Sequence, residues 1–405
     1  MEMAKKEMGR RDFLKSSLAS MGGFIYLSSS EKPLREKLAE RKEPEKKMTY
    51  RVLGKAGIRM PVITMGVMNT DNPNLVRAAL NAGMFHLDTA STYQRGTNEV
   101  MIGEVLKGRP RDSFALSTKA RLPGDRITGL YPPEATEEAF AKKIDTSLKN
   151  LGLDYIDIYH HHGIHAREAA LHEPILNALV KAKKAGKIRF AGITTHRNEP
   201  VVIRAAVESK VYDVVLPAYN PRQQHAPEVK KAIAEAGEAG LGVITMKAVG
   251  GRVWGTYPTK TIDVRADLKW PLQDPNVHTV IAGFTTFDQM NLDLEIMKDI
   301  TLTQSERDHL RRATQTAGLY CQGCGQCLGQ CAKRLPIPDL MRAYMYVYGY
   351  RNLVEAQDLL FALNLPAEPC EDCSSCPVKC SNRWNVSTRI RDVARLRAVP
   401  PDFVA

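Results

Sequence analysis

Two patterns predict an α/β chain built as a barrel of parallel strands followed by a second, cysteine-bearing domain. From Met48 to Lys298 short apolar runs alternate with amphipathic helical segments, and after residue 300 one cysteine spacing occurs twice. Alternation of that length favours parallel strands joined by helices, and eight such units close into a (β/α)8 barrel of about 250 residues. The barrel is placed at 48–300 and the smaller domain at 301–405. A composition of 43% hydrophobic and 25% charged residues suits a globular chain of 405 residues in two or three domains. The formal charge of +12 is spread along the chain, with several basic residues near the N-terminus. It reads as solvated surface and argues against nucleic acid as a partner.

The chain opens with Gly9-Arg-Arg-Asp-Phe-Leu-Lys and then an uncharged run from Ser16 to Ser30. Arg10 and Arg11, completed by Phe13, Leu14 and Lys15, resemble a twin-arginine export signal over 1–30. That implies the twin-arginine translocase as a partner in transit and a periplasmic or otherwise exported location. The uncharged run is shorter than the roughly 20 residues a spanning helix needs, so an integral membrane protein is not expected. Ser28 and Ser30 offer a small-residue cleavage site. Residues 31–47 alternate charge signs around Pro33 and Pro44 and read as a charged linker.

The eight predicted strands are Val62 to Val67, Phe85 to Asp88, Phe114 to Lys119, Tyr155 to His162, Phe190 to Thr194, Val214 to Ala218, Gly242 to Met246 and Thr279 to Ala282. Between them, helical spacing of apolar residues marks segments such as Pro73 to Ala82, Thr97 to Lys107, Glu134 to Asn150, Glu199 to Ser209 and Pro227 to Ala239.

The stretch from Phe85 to Glu99 passes from an apolar strand into a polar loop bearing Asp88 and Tyr93. Lys119 and His162 end two later strands, and a parallel barrel keeps its active site at that end of its strands. A tyrosine that donates a proton to a carbonyl is expected to have its pKa lowered from about 10 by a nearby cation in a dry site. Taken singly, Asp88 also fits a helix cap, Lys119 a surface lysine and His162 a core histidine. In this order and at these strand tips, the four resemble the catalytic tetrad of the aldo-keto reductases.

The resemblance runs from Met48-Thr-Tyr-Arg-Val-Leu-Gly to about Lys298, through Asp88-Thr-Ala-x-x-Tyr, Leu153-Asp-Tyr-Ile-Asp-Ile-Tyr and Gly186-Lys-Ile-Arg-Phe-Ala-Gly-Ile. It implies a TIM barrel that transfers hydride between a nicotinamide and a small carbonyl or alcohol. In that scheme Tyr93 is the acid or base, Asp88 and Lys119 set its pKa, and His162 orients the carbonyl.

No Gly-x-Gly-x-x-Gly turn stands where a dinucleotide-binding Rossmann unit would need one. By resemblance the loops after the later strands hold the cofactor. Thr194 and Thr195 stand where the family has Ser-Asn for the nicotinamide amide, and hydroxyls donate and accept there too. Leu216 takes the place of a usual glutamine, and Met246-Lys247 that of a usual stacking aromatic, methionine covering a ring less rigidly. Ile281 to Gln289 resembles the phosphate loop at a helix N-terminus, with Gly283, Thr285, Thr286 and Gln289 as contacts. The Arg or Lys common for a 2'-phosphate is missing, and Asp293 falls where an adenine-facing asparagine is usual. NADP and NAD both stay open.

Cys321-x-x-Cys324-x-x-Cys327-x-x-x-Cys331 and Cys370-x-x-Cys373-x-x-Cys376-x-x-x-Cys380 hold all eight cysteines of the chain. This is the bacterial ferredoxin run, in which thiolates hold [4Fe-4S] clusters and the fourth cysteine of each run serves the other cluster. The expected sets are Cys321, Cys324, Cys327 and Cys380, and Cys370, Cys373, Cys376 and Cys331. Ala332 and Ser381 follow the fourth cysteines where proline is usual. Zinc favours paired two-cysteine knuckles over a triplet plus one, and disulfides remain an alternative for an exported chain. Apolar residues at helical spacing from Leu340 to Leu363, broken near Gly349, make this ferredoxin-like domain mainly helical. Core packing or a docking face accounts for the alternating Tyr344, Tyr346, Tyr348 and Tyr350.

Three functions fit: a reductase of the kind above, an electron-transfer protein whose barrel is a docking or sensing scaffold for a redox partner protein, and a cluster-dependent enzyme of other chemistry. The substrate is not legible in pocket-shaping loops such as Arg121 to Pro133. Export adds a constraint, because free nicotinamide is not expected outside the cytoplasm: the cofactor travels tightly bound, or its site is vestigial.

Overall fold

A computed structural model describes residues 47–251, 262–315, 318–371, 373 and 375–404. The export signal with Arg10 and Arg11, and the linker as far as residue 46, lie outside the described residues. Met48–Ala405 form one compact unit.

A hairpin of β1 (Tyr50–Leu53) and β2 (Ile58–Pro61) precedes the barrel. Eight parallel strands then close on themselves: β3 (Ile63–Gly66), β4 (His86–Asp88), β5 (Ala115–Ala120), β6 (Ile156–His161), β7 (Ile188–Thr195), β8 (Val214–Pro217), β9 (Gly242–Thr245) and β10 (Thr279–Ala282), with β10 pairing to both β9 and β3. Each lies within two residues of its predicted limits at either end. The hairpin has no counterpart in the predicted set. Its Leu53 and Met60 pack with Ile158, Val214, Leu216 and Ile244, and Leu53 meets Gly242 at the start of β9. The hairpin therefore plugs the end of the barrel where strands begin, leaving the other end for the site.

The outer layer contains α1 (Pro73–Asn81), α2 (Thr97–Leu106), α3 (Glu137–Leu151), the short α4 (Arg167–Ala170), α5 (Glu173–Lys184), α6 (Glu199–Ser209), α7 (Ala226–Glu238), α8 (Val264–Leu272) and α9 (Phe287–Lys298). Polar side chains start several of them: Asn72 accepts from the N–H groups of Asn74 and Leu75, and Thr136 from Ala139. Glu134, assigned to α3 by spacing, stays outside because Thr136 takes the cap. Each helix buries its apolar stripe on the strands, as with Leu75, Val76 and Ala79 of α1 or Phe140 and Ile144 of α3.

Beyond residue 300, α10 (Gln304–Gln315) first joins the barrel wall, where Glu306 bridges to Lys269 of α8 at 3.0 Å. The remainder has its own apolar cluster, built from α11 (Ile337–Met345), α12 (Leu353–Ala362) and α13 (Val386–Ala394). One π-helical turn, Tyr346–Tyr350, extends α11 and ends at Arg351 in the left-handed region. That is the break expected near Gly349. These helices sit over the C-terminal rim. Asn352 donates to the Met68 carbonyl and to Asn69 (3.3 and 3.1 Å), Arg95 reaches Gln357 and Asp358 (3.1 and 3.3 Å), and Gln322 donates to the Gly250 carbonyl (3.2 Å).

Candidate active site

Strand register brings the first two site residues together. Asp88 pairs with Ser117, and Lys119 lies two residues further along β5 on the same inward face. The lysine stem crosses between strands, so Nζ lies 2.6 Å from Asp88 Oδ2 and 2.5 Å from the Thr89 carbonyl. Both residues are almost fully buried. Burial pushes the Asp88 carboxyl up and the Lys119 ammonium down, each toward neutrality, and their mutual contact opposes this.

Tyr93 follows β4 in a turn whose next two residues, Gln94 and Arg95, are left-handed (φ 51° and 56°). The turn is held because Gln94 donates to the Thr70 carbonyl (2.8 Å) and Thr89 donates to Asn98 (2.6 Å). Tyr93 then presents its ring to Lys119 Nζ, 4.8 Å from the centroid, and meets His162 edge-on at 6.3 Å and 84°. Asp88, Tyr93 and His162 line one cavity of ≈ 1150 Å³ of atom-free space, counting its open mouth, while Lys119 stands behind them.

One expectation is corrected. Tyr93 was expected to have its pKa lowered by Lys119, yet it is pushed well above the ordinary phenol, first by burial and then by Asp88 and Glu355. Lys119 is engaged with Asp88, so it offsets too little. Tyr93 is therefore firmly protonated, which suits a donor. His162 is held well below its ordinary value by burial and by Lys119 and Arg121, and stays a neutral imidazole able to donate one hydrogen bond.

The expected cofactor residues divide into two groups. Met246, Lys247, Gly283 and Gln289 line the same cavity. Thr194, Thr195, Thr285 and Thr286 are not among its lining residues. The Thr194 hydroxyl accepts from the Gly163 N–H (2.8 Å), and that of Thr195 donates to the Arg197 carbonyl (2.6 Å). Thr286 caps α9, accepting from the Gln289 N–H, while Thr285 N–H donates to the Gln289 side chain (2.8 Å). Asp293 also lines the cavity, and burial, against the pull of Arg265, pushes its carboxyl up to about 8. At neutral pH it is a protonated acid that donates and accepts, as an asparagine does.

Several further lining residues escaped the sequence reading, and four of them carry ionisable side chains from outside the strands. His196 belongs to the loop after β7, whereas Tyr346, Tyr350 and Glu355 come from the helices over the rim. The tyrosine alternation thus splits: Tyr346 and Tyr350 face the cavity, and Tyr344 and Tyr348 pack on each other at 4.5 Å. The single available signal was the four-residue spacing of Tyr346 and Tyr350, and it does not say what they face.

All eight cysteines are unbridged. Burial pushes Cys321 up to about 11, with Cys324 and Cys380 adding to it, and Cys327 up to about 12, with Cys321, Cys324 and Cys380 around it. Cys370 has Cys373, Cys331 and Cys376 as its neighbours, and these four line one small cavity. The neighbourhoods coincide with the two expected quartets. Still, among the described residues no three His, Cys, Asp or Glu side chains converge closely enough to hold a metal ion. The two observations differ because sharing a neighbourhood demands less than pointing sulfurs at one centre. The quartet of Cys321 adjoins the active site: Cys321, Lys247 and His196 line a common cleft, and Gly323 packs against the His196 carbonyl.

Residues 64–265 match the family model described as the aldo/keto reductase family. The chain belongs to this family through its barrel. L-glyceraldehyde 3-phosphate reductase of Escherichia coli is 31% identical over 165 residues, covering 38% of this chain and 46% of that one. L-galactose dehydrogenase of Arabidopsis thaliana is 33% identical over 164 residues, covering 36% and 49%. The chain thus spans about half the length of these curated relatives. The holo form of an aldo-keto reductase from Bacillus halodurans superposes with a TM-score of 0.54 at 23% identity, covering 68% of this chain and 98% of that one. That likeness speaks for the fold of the barrel.

The protonated state of Asp293 has a measurable consequence. Between about pH 4 and about pH 8 the unfolded chain has lost a proton that native Asp293 keeps, so its contribution lowers stability as pH rises through this window and levels off above it. Asp293→Asn removes that slope. In denaturant unfolding the variant should gain on the wild type from about pH 5 to about pH 9, whereas an unchanged gap would mean that Asp293 ionises normally.

Proposed function

We propose that this aldo/keto reductase family member is a nicotinamide-dependent oxidoreductase that interconverts a small carbonyl and its alcohol. The observation that carries the reading is the meeting of Tyr93, His162 and the buried Asp88–Lys119 pair in one rim cavity. The cavity extends from Tyr93 past Met246 to Gly283, Gln289 and Asp293, so the residues present fit a nicotinamide dinucleotide. When bound, that group supplies the hydride. Tyr93 donates its proton to the carbonyl oxygen, His162 orients that oxygen through its ring N–H, and Lys119, held by Asp88, stands beside the Tyr93 ring where the phenolate forms. Gln289 and protonated Asp293 offer hydrogen bonds at the far end. NAD and NADP are both compatible with that end.

Tyr93→Phe removes only a hydroxyl. Carbonyl turnover should fall by about two orders of magnitude or more while dinucleotide binding survives. A variant as active as the wild type would overturn the assignment.

The cysteine quartets are read as ligands of two [4Fe-4S] clusters, Cys321, Cys324, Cys327 and Cys380 on one and Cys331, Cys370, Cys373 and Cys376 on the other. Their spacing, unbridged state and shared neighbourhoods support this. Anaerobically purified protein should contain about eight iron and eight acid-labile sulfide, and stoichiometric zinc without iron would contradict it. A second reading, in which cluster electrons serve the barrel cavity or a redox partner protein, is favoured by Cys321 sharing a cleft with Lys247 and His196. It expects redox activity that survives Tyr93→Phe.

Export through the twin-arginine route suits a protein that folds around cofactors before it crosses, and the N-terminal motif supports it. Replacing Arg10 and Arg11 with lysine should retain the protein in the cytoplasm on fractionation. An undiminished exported share would show that the motif is not read. Among the described residues no helix is long and apolar enough to cross a membrane.

A further inference from the structure

We propose that the substrate carries an oxyanion, a carboxylate or a phosphate ester, held by Arg121 and Arg126 beside the carbonyl-binding His162. The proposal rests on the reductase reading and names the substrate class of its site. A second cavity, ≈ 1230 Å³ of atom-free space counting its open part, adjoins the first and shares His162, His196, Tyr346 and Glu355 with it. Arg121 and Arg126 line this second cavity.

Strand geometry places Arg121. It lies two residues past Lys119, just beyond the end of β5, and continues the inward side of that strand onto the rim. Its charge is felt directly by His162. Arg121 is largely enclosed, and its Nε is buried with no hydrogen-bond partner among the described residues. Neither Arg121 nor Arg126 makes an ion pair among the described residues, although the other two arginines of this cavity are paired. Arg95 pairs with Asp358 at 3.3 Å, and Arg342 pairs with Asp339. Glu355 does not neutralise the two arginines, since burial and Asp358 push its carboxyl up to about 7.

Two neighbouring guanidinium groups, poorly solvated and without an ion pair of their own among the described residues, repel each other; the one carboxylate that acts on both, Asp339, is paired with Arg342 and is shared with Arg197 as well. Burial and then Arg121 depress Arg126 to about 10. An uncompensated buried charge costs stability unless an anion answers it, and a planar fork of donors matches carboxylate and phosphate oxygens. Leu359, Phe361 and Ala362 of α12 provide an apolar wall for the carbon skeleton. A ligand bound there would reach His162 with its carbonyl and the arginines with its oxyanion.

The test compares matched pairs of aldehydes on the holoenzyme: 4-carboxybenzaldehyde with 4-methylbenzaldehyde, and glycolaldehyde phosphate with glycolaldehyde. In at least one pair the charged member should have the higher kcat/KM by about tenfold or more, and the pair that does so distinguishes carboxylate from phosphate. Arg121→Gln should shrink that ratio about tenfold, through KM of the charged member. Arg126→Gln, whose side chain makes no hydrogen bond among the described residues, should act likewise if Arg121→Gln fails to fold by circular dichroism. Turnover without a charge preference in either pair, or variants that slow both members equally, would overturn the proposal and leave the reductase reading standing. Calorimetry with terephthalate and inorganic phosphate separates the converse. Binding by wild type that the arginine variants lose, without turnover of any aldehyde, would keep the anion site and remove the reductase reading. No binding and no turnover would remove both.

Discussion

Closure of eight parallel strands into a ring is the constraint from which the site follows. Because all strands run the same way, every strand ends on one rim, and side chains from distant parts of the sequence meet there without any local motif joining them. The β4–β5 register sets the innermost contact. With Asp88 opposite Ser117, the inward Lys119 has no route for its charge except toward Asp88 and the Thr89 carbonyl. The buried pair costs desolvation on both sides. It holds together because each charge is the other's nearest compensation.

That pair organises the proton chemistry in a way that pKa values of isolated residues would not suggest. A lysine free to act on Tyr93 would lower its pKa, whereas a lysine bound to Asp88 leaves burial in control. The phenol then remains protonated and His162 neutral. One group can give a proton and the other a hydrogen bond, with no competing cation on the imidazole. The helices after residue 315 complete this setting. They add Tyr346, Tyr350 and Glu355 to a cavity that a bare barrel would leave open, and they bring Cys321 next to Lys247 and His196. The C-terminal segment is thus both the bearer of the cysteine quartets and one wall of the barrel's site.

The charge distribution over the rim divides along the same line. Asp88 lines the Tyr93 cavity, Glu355 lines both cavities, and Arg95, Arg121, Arg126 and Arg342 line the second. Two of those arginines form ion pairs with carboxylates, and among the described residues two do not. This asymmetry comes from joining an outer loop, 121–133, to helices from another part of the chain, and neither part alone encloses a charge.

Sequence by itself determined the eight strands, and it made the four strand-tip residues and the repeated cysteine spacing legible, because each rests on local period or fixed spacing: two residues per side-chain repeat in a strand, and a triplet plus one in each cysteine run. It missed the β1–β2 hairpin, whose short strands have no helix after them to mark the alternation. It also assigned Thr194, Thr195, Thr285 and Thr286 to the cofactor by position in a resemblance, while their hydroxyls are held by backbone groups and a helix cap. Only tertiary structure decided which way the lysine charge acts, that His196 and the Tyr346–Glu355 segment enter the cavity, and that Arg121 and Arg126 make no ion pair among the described residues. Those outcomes depend on burial and on which carboxylates stand within a few ångströms, and residues hundreds apart along the chain set both.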